Sequence, residues 1–349
     1  MLSNLRRVLT VGATRNVSLV VGIVGGLLVG AVILQAVGTS PLQAYGTLFR
    51  ETWGSIWGIN RTIQKLIPLT LIALGLLISF RARVLNIGGE GQVYAGGVVG
   101  ALVAIYLGVL PTAVLLPVAF LAAFMGGMAW AFVPALLRAR YRVDEVITTL
   151  MLNYVAFWLV DYLVRGPLTD PVTPGLEQSR PFSVASRLPI VIPGTRISVG
   201  ILVVVIAAIA VYVLMWRTKW GYEFRATGIN PEAARCGGIS LTKTSFVPLL
   251  LSGGFAGLAA IVELMGVHGR LISGFSPGYG YTAIAVALLG RLKPVGILLS
   301  GLLFATLTVG GDALQYDMKV PSYLSMVIQA TIVVLVIAVE ALSVRRKNA

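Results

Sequence analysis

Charged residues are scarce in this chain of 349 residues. Only 11% are Asp, Glu, Lys or Arg, whereas 57% are hydrophobic. A soluble domain carries about 25% charged residues, because a surface in water needs them whatever the size of the core. The shortage excludes an ordinary soluble protein and indicates that lipid surrounds most of the chain.

Cysteine and histidine are almost absent, with one of each, Cys236 and His268. A single cysteine excludes a disulfide within the chain, and a single histidine excludes a multi-histidine metal site. We therefore expect no metal. Acidic residues number 13 against 27 basic residues. The basic residues lie between apolar runs and not in one arm, which favours topology marking over nucleic-acid binding.

Nucleotide-binding and metal-binding motifs are also missing. The chain has no G-x-x-x-x-G-K-[ST] phosphate loop, no H-E-x-x-H and no C-x-x-C. We expect neither ATP binding by a phosphate loop nor enzymatic activity in this chain. Carboxylates at membrane depth are scarce as well, which argues against a proton-coupled carrier, since such carriers need relays of ionisable groups.

Long apolar runs fill the chain and predict an all-α polytopic membrane protein with about ten transmembrane helices. The predicted spans cover residues 17–37, 63–80, 92–110, 113–136, 146–164, 197–216, 245–266, 279–290, 294–311 and 321–342. The first is long enough to be an uncleaved span and not a signal peptide. The glycine-rich run 92–110 and the short run 279–290 are expected to include broken or re-entrant helices.

Loop charge predicts the orientation. With a cytoplasmic N-terminus, the inner loops hold roughly twice as many Lys and Arg residues as the outer loops, so we predict N-in, C-in. The loop at about 165–196 is then extracytoplasmic, and its many prolines predict order without long helices. The loop at about 217–244 is cytoplasmic. Residues 1–349 are expected to form one transmembrane domain.

Small residues recur at a spacing of four, which would let helix backbones approach closely in lipid. The pattern occurs at Ser18, Gly22, Gly26 and Gly30, at Gly96 with Gly100, and at Gly253 with Gly257. The alternative is the ordinary enrichment of glycine in membrane helices.

Polar residues and glycines interrupt the hydrophobic region at residues 80–97. Asn86, Glu90 and Gln92 lie among five glycines there. Irregular backbone at membrane depth is tolerated only where protein or a watery path surrounds it. The three side chains are therefore candidates for a translocation path or gate, and the alternative is a plain turn with a capped helix start.

A short helix is predicted within the cytoplasmic loop. Asn230 reads as its N-cap, Pro231 as its first residue and Glu232 as a first-turn acid, and Gly237 as its end. The helix would have about six residues. Ala233 and Ala234 would present a small surface on which another protein could dock, and the alternative is a solvated connector.

A second glycine-rich break covers residues 274–294 and leads into small apolar residues, with Tyr281 near its start. The two breaks fall on opposite sides of the predicted topology, which suggests an inverted repeat relating 63–164 to 245–342. Tyr281 is a candidate for the outer gate, or an interfacial anchor.

Two further polar residues lie within apolar runs. Asn153 must find a hydrogen-bond partner there, either another helix or a solute. Glu263 is a functional candidate by default, and its structural alternative is a pair with Arg270 or His268.

These segments resemble the permease subunits of bacterial ABC importers of the ribose and branched-chain-amino-acid type, most closely the nucleoside-uptake permeases. The match is carried by Leu85 to Gln92, Thr148 to Tyr154, Gly228 to Gly238, Gly266 to Arg270 and Gly278 to Pro294.

The resemblance implies a set of partners in the bacterial plasma membrane. They are a second related permease, a cytoplasmic ATPase with two fused nucleotide-binding halves, and an external lipoprotein that delivers the solute. ATP and Mg²⁺ would bind the ATPase, and this chain would bind no cofactor. The residues from Gly228 to Gly237, with Glu232, Ala233 and Ala234 at their centre, match the family's coupling helix.

Several alternatives stay open from the sequence. The solute could be a nucleoside, a simple sugar or a branched-chain amino acid. A different class of protein, a secondary carrier acting alone, would not need an ATPase. A membrane scaffold or an integral enzyme is disfavoured because paired acids and nucleophile constellations are lacking.

Overall fold

The computed structural model describes residues 20–173, 175–321 and 323–348. Within these ranges the secondary structure is helical, and β pairing is limited to isolated bridges. The prediction of an all-helical protein is confirmed. Residues 17–19 of the first predicted span, which include Ser18, lie outside the described residues, as do the basic residues that precede them.

The helices have the following bounds: α1 Val20–Ala36, α2 Pro41–Trp53, α3 Ile56–Arg81, α4 Gly89–Tyr106, α5 Thr112–Tyr141, α6 Glu145–Arg165, α7 Gly200–Arg217, α8 Lys219–Ile229, α9 Pro231–Cys236, α10 Leu241–Glu263, α11 Tyr279–Leu289, α12 Pro294–Met318 and α13 Tyr323–Asn348. A π-helical turn, Leu264–His268, continues α10. Sequence reasoning missed α2 and α8, which are less apolar than the spans and have no run long enough to cross.

Among the described residues, six helices are long and apolar enough to cross a membrane. A seventh crossing is added if α1 and α2, which meet at a bend of 116°, are counted as one span. These apolar helices are those of a multi-pass membrane protein. The predicted crossings at α4 and α11 are not counted among these helices, since α4 begins with polar residues and α11 has only 11 residues. The number of about ten crossings stays a prediction, and so does the N-in, C-in orientation.

The described residues divide into two compact units, one within 20–62 and 302–348 and the other within 63–301. In the first unit, the glycines of α1 face α13. A Cβ atom at Gly22 or Gly26 would collide with Val336 or Ile332. The close approach that the four-residue spacing predicts is therefore present at both glycines.

In the second unit, α4, α5 and α10 pack through small residues. Gly96 of α4 lies against Gly257 of α10, and Gly127 of α5 lies against Gly253. A side chain at any of these positions would push the backbones apart. Such contact replaces the hydrophobic driving force that lipid does not supply between helices, and it fixes the polar start of α4 beside α10.

Among the described residues of the proline-rich segment after α6, the one helical element is a short 3₁₀ turn, Val184–Ser186, so the predicted lack of long helices is confirmed there. It pairs with the segment after α10 through the bridge between Gln178 and Ile272. Ion pairs hold both segments: Arg165 contacts Asp161 and Glu177, and Arg270 lies 3.7 Å from Asp170.

Candidate translocation and coupling sites

Asn86 and Gln92 form a closed pair of amides at the start of α4. Asn86 Nδ2 donates to Gln92 Oε1 at 2.8 Å, and Gln92 Nε2 donates back to Asn86 Oδ1 at 3.1 Å. Asn86 Nδ2 also donates to Ser252 Oγ of α10 at 2.9 Å. Both amides are buried, and each buried polar atom needs such a partner. The pair therefore locks the irregular turn that leads into α4 against α10.

Glu90 lies in the first turn of α4 and reaches across to the start of α11. Its Oε2 accepts the N–H of Gly280 at 2.7 Å, and its Oε1 accepts the N–H of Gly278 at 3.2 Å. The residue is only 6% exposed. Helix N-termini stabilise negative charge, and this carboxylate lies at two of them. Backbone dipoles thus balance its charge, and none of the basic side chains that the structure describes forms an ion pair with it.

Asn153 joins α6 to the same place. Its Oδ1 accepts the N–H of Gly91 at 2.8 Å, and its Nδ2 donates to the carbonyl oxygen of Ile87 and to Tyr281 Oη, both at 3.0 Å. Asn153 is buried, but Tyr281 is 42% exposed. Tyr281 is therefore the predicted pathway residue with the most open side chain.

We call this cluster the polar junction. It comprises Asn86, Glu90, Gln92, Asn153 and Tyr281 with the backbone at Gly278 and Gly280. The predicted pathway residues, apart from Glu263, thus meet in one place. The helix starts that follow the two glycine-rich breaks are in direct contact, and the prediction that the breaks lie on opposite sides of the topology stays a prediction. A Cβ atom at Gly280 would collide with the backbone of Glu90, so glycine is what permits this approach.

Glu263 belongs to a neighbouring network. Tyr279 Oη donates to Glu263 Oε1 at 3.2 Å, and Lys65 Nζ of α3 donates to Tyr279 Oη at 2.7 Å. His268 Nε2 lies 3.7 Å from Glu263 Oε1. Of the two partners considered for Glu263, His268 is near and Arg270 is engaged elsewhere, by Asp170.

Sequence reasoning did not single out Ser252 and Lys65 as site residues. The signal for Lys65 was present, since a lysine nine residues into a long apolar helix requires a partner. The signal for Ser252 was weak, because serine is common in membrane helices.

Residues Gly274 to Gly278 have the letters of a G-x-S-x-G nucleophile motif. Ser276 is buried, and its Oγ accepts the N–H of Tyr279 at 3.3 Å. The only histidine of the chain, His268, lies near Glu263 instead. The segment also lacks the strand-to-helix turn that such a nucleophile requires, so Ser276 contributes to the start of α11.

The short helix predicted after Asn230 is confirmed as α9, Pro231–Cys236, and its cytoplasmic location stays a prediction. Asn230 Oδ1 accepts the N–H of Ala233 at 3.1 Å, which is the expected N-cap bond. Gly237 follows the helix, and the left-handed residue is the next one, Gly238, with φ of 80°. Glu232 and Ala233 are exposed, whereas Ala234 is buried. The exposed surface is therefore smaller than the two-alanine face that was predicted.

Gly228 connects this loop to the end of α3. A Cβ atom there would collide with the carbonyl oxygen of Arg81. Arg81 in turn donates to the carbonyl oxygen of Leu292 at 3.0 Å, in the turn after α11. The guanidinium groups of Arg81 and Arg225 form cation–π contacts with the indole of Trp216, at 5.7 Å and 6.0 Å from the ring centre. The loop is thus packed onto helices that lead to the polar junction.

A groove of about 950 Å³ runs beside α9. Its walls come from α8, from the segment Ala233 to Ile239, and from the ends of α3 and α11 at Arg81 and Leu292. An open groove next to an exposed capped helix suits the docking of another protein better than the binding of a small solute.

Residues 58–337 match the family described as branched-chain amino acid transport system / permease component. The chain is 40% identical to a glucose ABC transporter permease protein of Haloferax volcanii, over 92% of this chain and 87% of that one. It is 32% identical to a guanosine ABC transporter permease protein of Bacillus subtilis, over 90% and 91%.

A nucleoside ABC transporter permease protein of Lactococcus lactis is 30% identical, over 90% of this chain and 88% of its own length. No solved structure matches the chain significantly. The extent of these matches and the apolar helices agree with the resemblance seen in the motifs. The chain belongs to this permease family and is a transmembrane permease subunit of an ABC importer.

Proposed function

We propose that this permease subunit forms half of a pathway for a neutral, hydroxyl-rich solute, with a nucleoside as the first candidate. The observation that carries the proposal is the polar junction, in which amides, a phenol and an internally balanced carboxylate meet around the broken starts of α4 and α11. Broken helices at membrane depth are the usual place of solute passage in transporters. The path or gate residues are Asn86, Glu90, Gln92, Asn153, Glu263 and Tyr281.

The charge state of the junction favours an uncharged solute. Both oxygens of Glu90 accept backbone N–H groups, and Glu263 accepts from Tyr279. A zwitterionic amino acid would gain little from carboxylates that already have these partners, and it would lose its own hydration. A nucleoside or sugar needs only hydroxyl and amide partners, such as those of Tyr281 and Asn153.

The names of the relatives support two solute classes. Guanosine and nucleoside permeases are 32% and 30% identical to the chain, and a glucose permease is 40% identical. The higher identity of the glucose permease makes a monosaccharide the second candidate. A branched-chain amino acid, which the family's description names, is the third.

We assign ATPase coupling to α9 and its flanks: Gly228, Asn230, Pro231, Glu232, Ala233, Ala234 and Gly237. The assignment is supported by the exposed Glu232 and Ala233 on a capped helix, by the groove beside it, and by the contact between Gly228 and the end of α3. A displacement of α9 would then be transmitted through Gly228 to the end of α3. The turn that follows α3 in the chain carries Asn86.

The proposed assembly contains this chain, a second and different permease, a cytoplasmic ATPase that binds ATP and Mg²⁺, and an external binding lipoprotein, in the bacterial plasma membrane. The chain itself would bind no cofactor and catalyse no reaction. We propose about ten crossings with both termini cytoplasmic, with α11 as a partial crossing and an inverted repeat relating 63–164 to 245–342.

Uptake by the whole complex, reconstituted in vesicles with its binding protein, tests the function. Labelled guanosine, glucose and leucine should be compared with and without ATP. We expect ATP-dependent uptake of guanosine, with glucose uptake favouring the second candidate. Transport by this chain alone, without ATP or partners, would favour a secondary carrier and contradict the proposal.

A further inference from the structure

A second pocket has a volume of about 560 Å³. It is lined by the end of α5, the turn after α3, and the segment that leads from α9 into α10. Four arginines line it with hydroxyl side chains of α10: Arg83, Arg138, Arg142 and Arg235, with Thr242 and Ser245. We call it the arginine pocket. The described residues that line it include no carboxylate.

Most of the positive charge in the arginine pocket is unpaired. Arg138 forms an ion pair with Glu145, which also accepts the N–H of Leu85 at 3.3 Å. Within the described part of the chain, no side-chain hydrogen bond or ion pair is found for Arg83, Arg142 or Arg235. Arg83, Arg142 and Arg235 are exposed, so an anionic group that docks there can pair with them without first displacing another partner.

The backbone gives no reason for arginine at two of these positions. Arg83 and Arg142 have φ of 60° and 56°, in the left-handed region. Glycine or asparagine would adopt this conformation at lower cost. Positive charge, and not backbone conformation, is therefore the reason for these residues: it marks the predicted cytoplasmic side, and arginine also binds carboxylates in a planar, two-pronged geometry.

The position of the pocket indicates its occupant. One wall is α9, with Arg235, which carries the proposed coupling surface. The opposite wall is the turn after α3, with Arg83. That turn continues three residues later into Asn86 of the polar junction. An acidic group held by both walls would connect the coupling helix to the start of α4 without passing through the rest of the fold.

We infer that the arginine pocket receives acidic side chains of the ATPase subunit and so forms a second docking point beside α9, one that engages the gate segment directly. The inference rests on the proposed function. The ATPase is the partner whose contact with α9 is proposed, and carboxylates are the groups that complement unpaired arginines.

Charge reversal within the whole complex tests the inference. We compare Arg83→Glu, Arg142→Glu and Arg235→Glu with two control variants, Arg140→Glu at the same end of α5 and Lys243→Glu at the start of α10. Both control residues are exposed and do not line the pocket. The readouts are ATPase retention on the purified permease pair at increasing salt and the ATP hydrolysis stimulated by loaded binding protein.

We expect each pocket variant to weaken ATPase binding about tenfold at about 0.15 M salt, and the controls to weaken it less than about twofold. Arg83→Glu should also reduce stimulated hydrolysis, although it lies outside α9. Equal effects of pocket and control variants would overturn the inference, because a general loss of positive charge would then explain them. Loss of bound anionic phospholipid from Arg83→Glu, with normal ATPase binding, would identify a lipid occupant and overturn it too.

A failure of the proposed function would look different. In that case the unmodified permease would retain no ATPase at any salt concentration. If the unmodified complex assembles and transports while the pocket variants behave as the controls do, the function stands and only the arginine pocket's role is rejected.

Discussion

The Oε2 atom of Glu90 lies 2.7 Å from the backbone nitrogen of Gly280. Through this bond, the first turn of α4 is tied to the first turn of α11 by a carboxylate that forms no ion pair with a basic side chain in the described part of the chain. The N-termini of α4 and α11 thus share one acid, and two hydrogen bonds from the backbone at the start of α11 to that acid join them.

Glu90→Gln should weaken this joint. The amide side chain offers one acceptor where two backbone N–H groups need one each, and leaving a buried donor unsatisfied costs about 1–3 kcal/mol. We expect a lower thermal stability of the purified complex and an uptake rate reduced about fivefold or more, since about 1.4 kcal/mol corresponds to tenfold in rate. Glu51→Gln, on a carboxylate that is 39% exposed and pairs with the exposed side chain of Arg50, is the matched control and should change uptake little. Normal uptake by Glu90→Gln would remove Glu90 from the gate.

Gly280→Ala tests the close approach of the two helix starts. The added methyl group would collide with the backbone of Glu90, and overpacking of this kind costs about 1–3 kcal/mol. Gly46→Ala in α2 is the control, because no atom lies within 4 Å of its Cβ position. Thermal unfolding of both variants in detergent provides the comparison. An undiminished melting temperature for Gly280→Ala would mean that the two starts can separate freely.

Tyr281→Phe removes the hydroxyl group that accepts from Asn153 at 3.0 Å. Because Tyr281 is part-exposed, we expect a small effect on stability, about 1 kcal/mol, and a larger effect on the apparent KM for the solute. Tyr212→Phe in α7, 45% exposed, is the control. Kinetics of uptake at varied solute concentration separate KM from maximal rate. A change in stability with unaltered kinetics would assign Tyr281 to packing alone.

Lys65→Met tests the energetic coupling between α3 and α10 that runs from Lys65 through Tyr279 to Glu263. The variant removes the donor to Tyr279 Oη and leaves Glu263 buried with less compensation, at a cost of about 1–3 kcal/mol. The double variant Lys65→Met with Glu263→Gln should recover part of this loss, since the buried charge is then gone. Chemical unfolding of the single and double variants measures the coupling. Simple additivity of the two changes would show that the network does not act as a unit.

Asn230→Ala and Glu232→Arg address α9. Loss of the N-cap bond to Ala233 costs about 1 kcal/mol, enough to fray a helix of six residues. Glu232→Arg reverses an exposed charge without touching the cap. Both should reduce ATPase retention while leaving the permease pair assembled. Ser55→Ala, which removes the side-chain acceptor of the Gly58 N–H at the start of α3 and lies outside both the groove and the arginine pocket, controls for a general loss of capping. Full ATPase stimulation by Glu232→Arg would show that α9 is not the coupling helix.

Much of the local structure followed from the sequence. The spacing of Asn230, Pro231 and Glu232 predicted α9 correctly, because capping chemistry acts between residues that are close in the chain. The length of the apolar runs predicted most of the long helices for the same kind of reason. The predicted start of α3, at residue 63, was less accurate than its end. Lys65 and Pro68 in a hydrophobic run suggested a later start than the observed one at Ile56.

The sequence by itself determined that lipid surrounds most of the chain and that the fold is helical. It also determined which residues had to find polar partners. Hydropathy and capping depend on the residues themselves and their near neighbours. Only the tertiary structure decided that Glu90 meets Gly280, that Asn153 joins them, and that Glu263 pairs through Tyr279 with Lys65. These partners are far apart in sequence, and a buried polar group requires a partner without specifying which one. The helix packing made that choice, through glycine contacts such as Gly96 with Gly257.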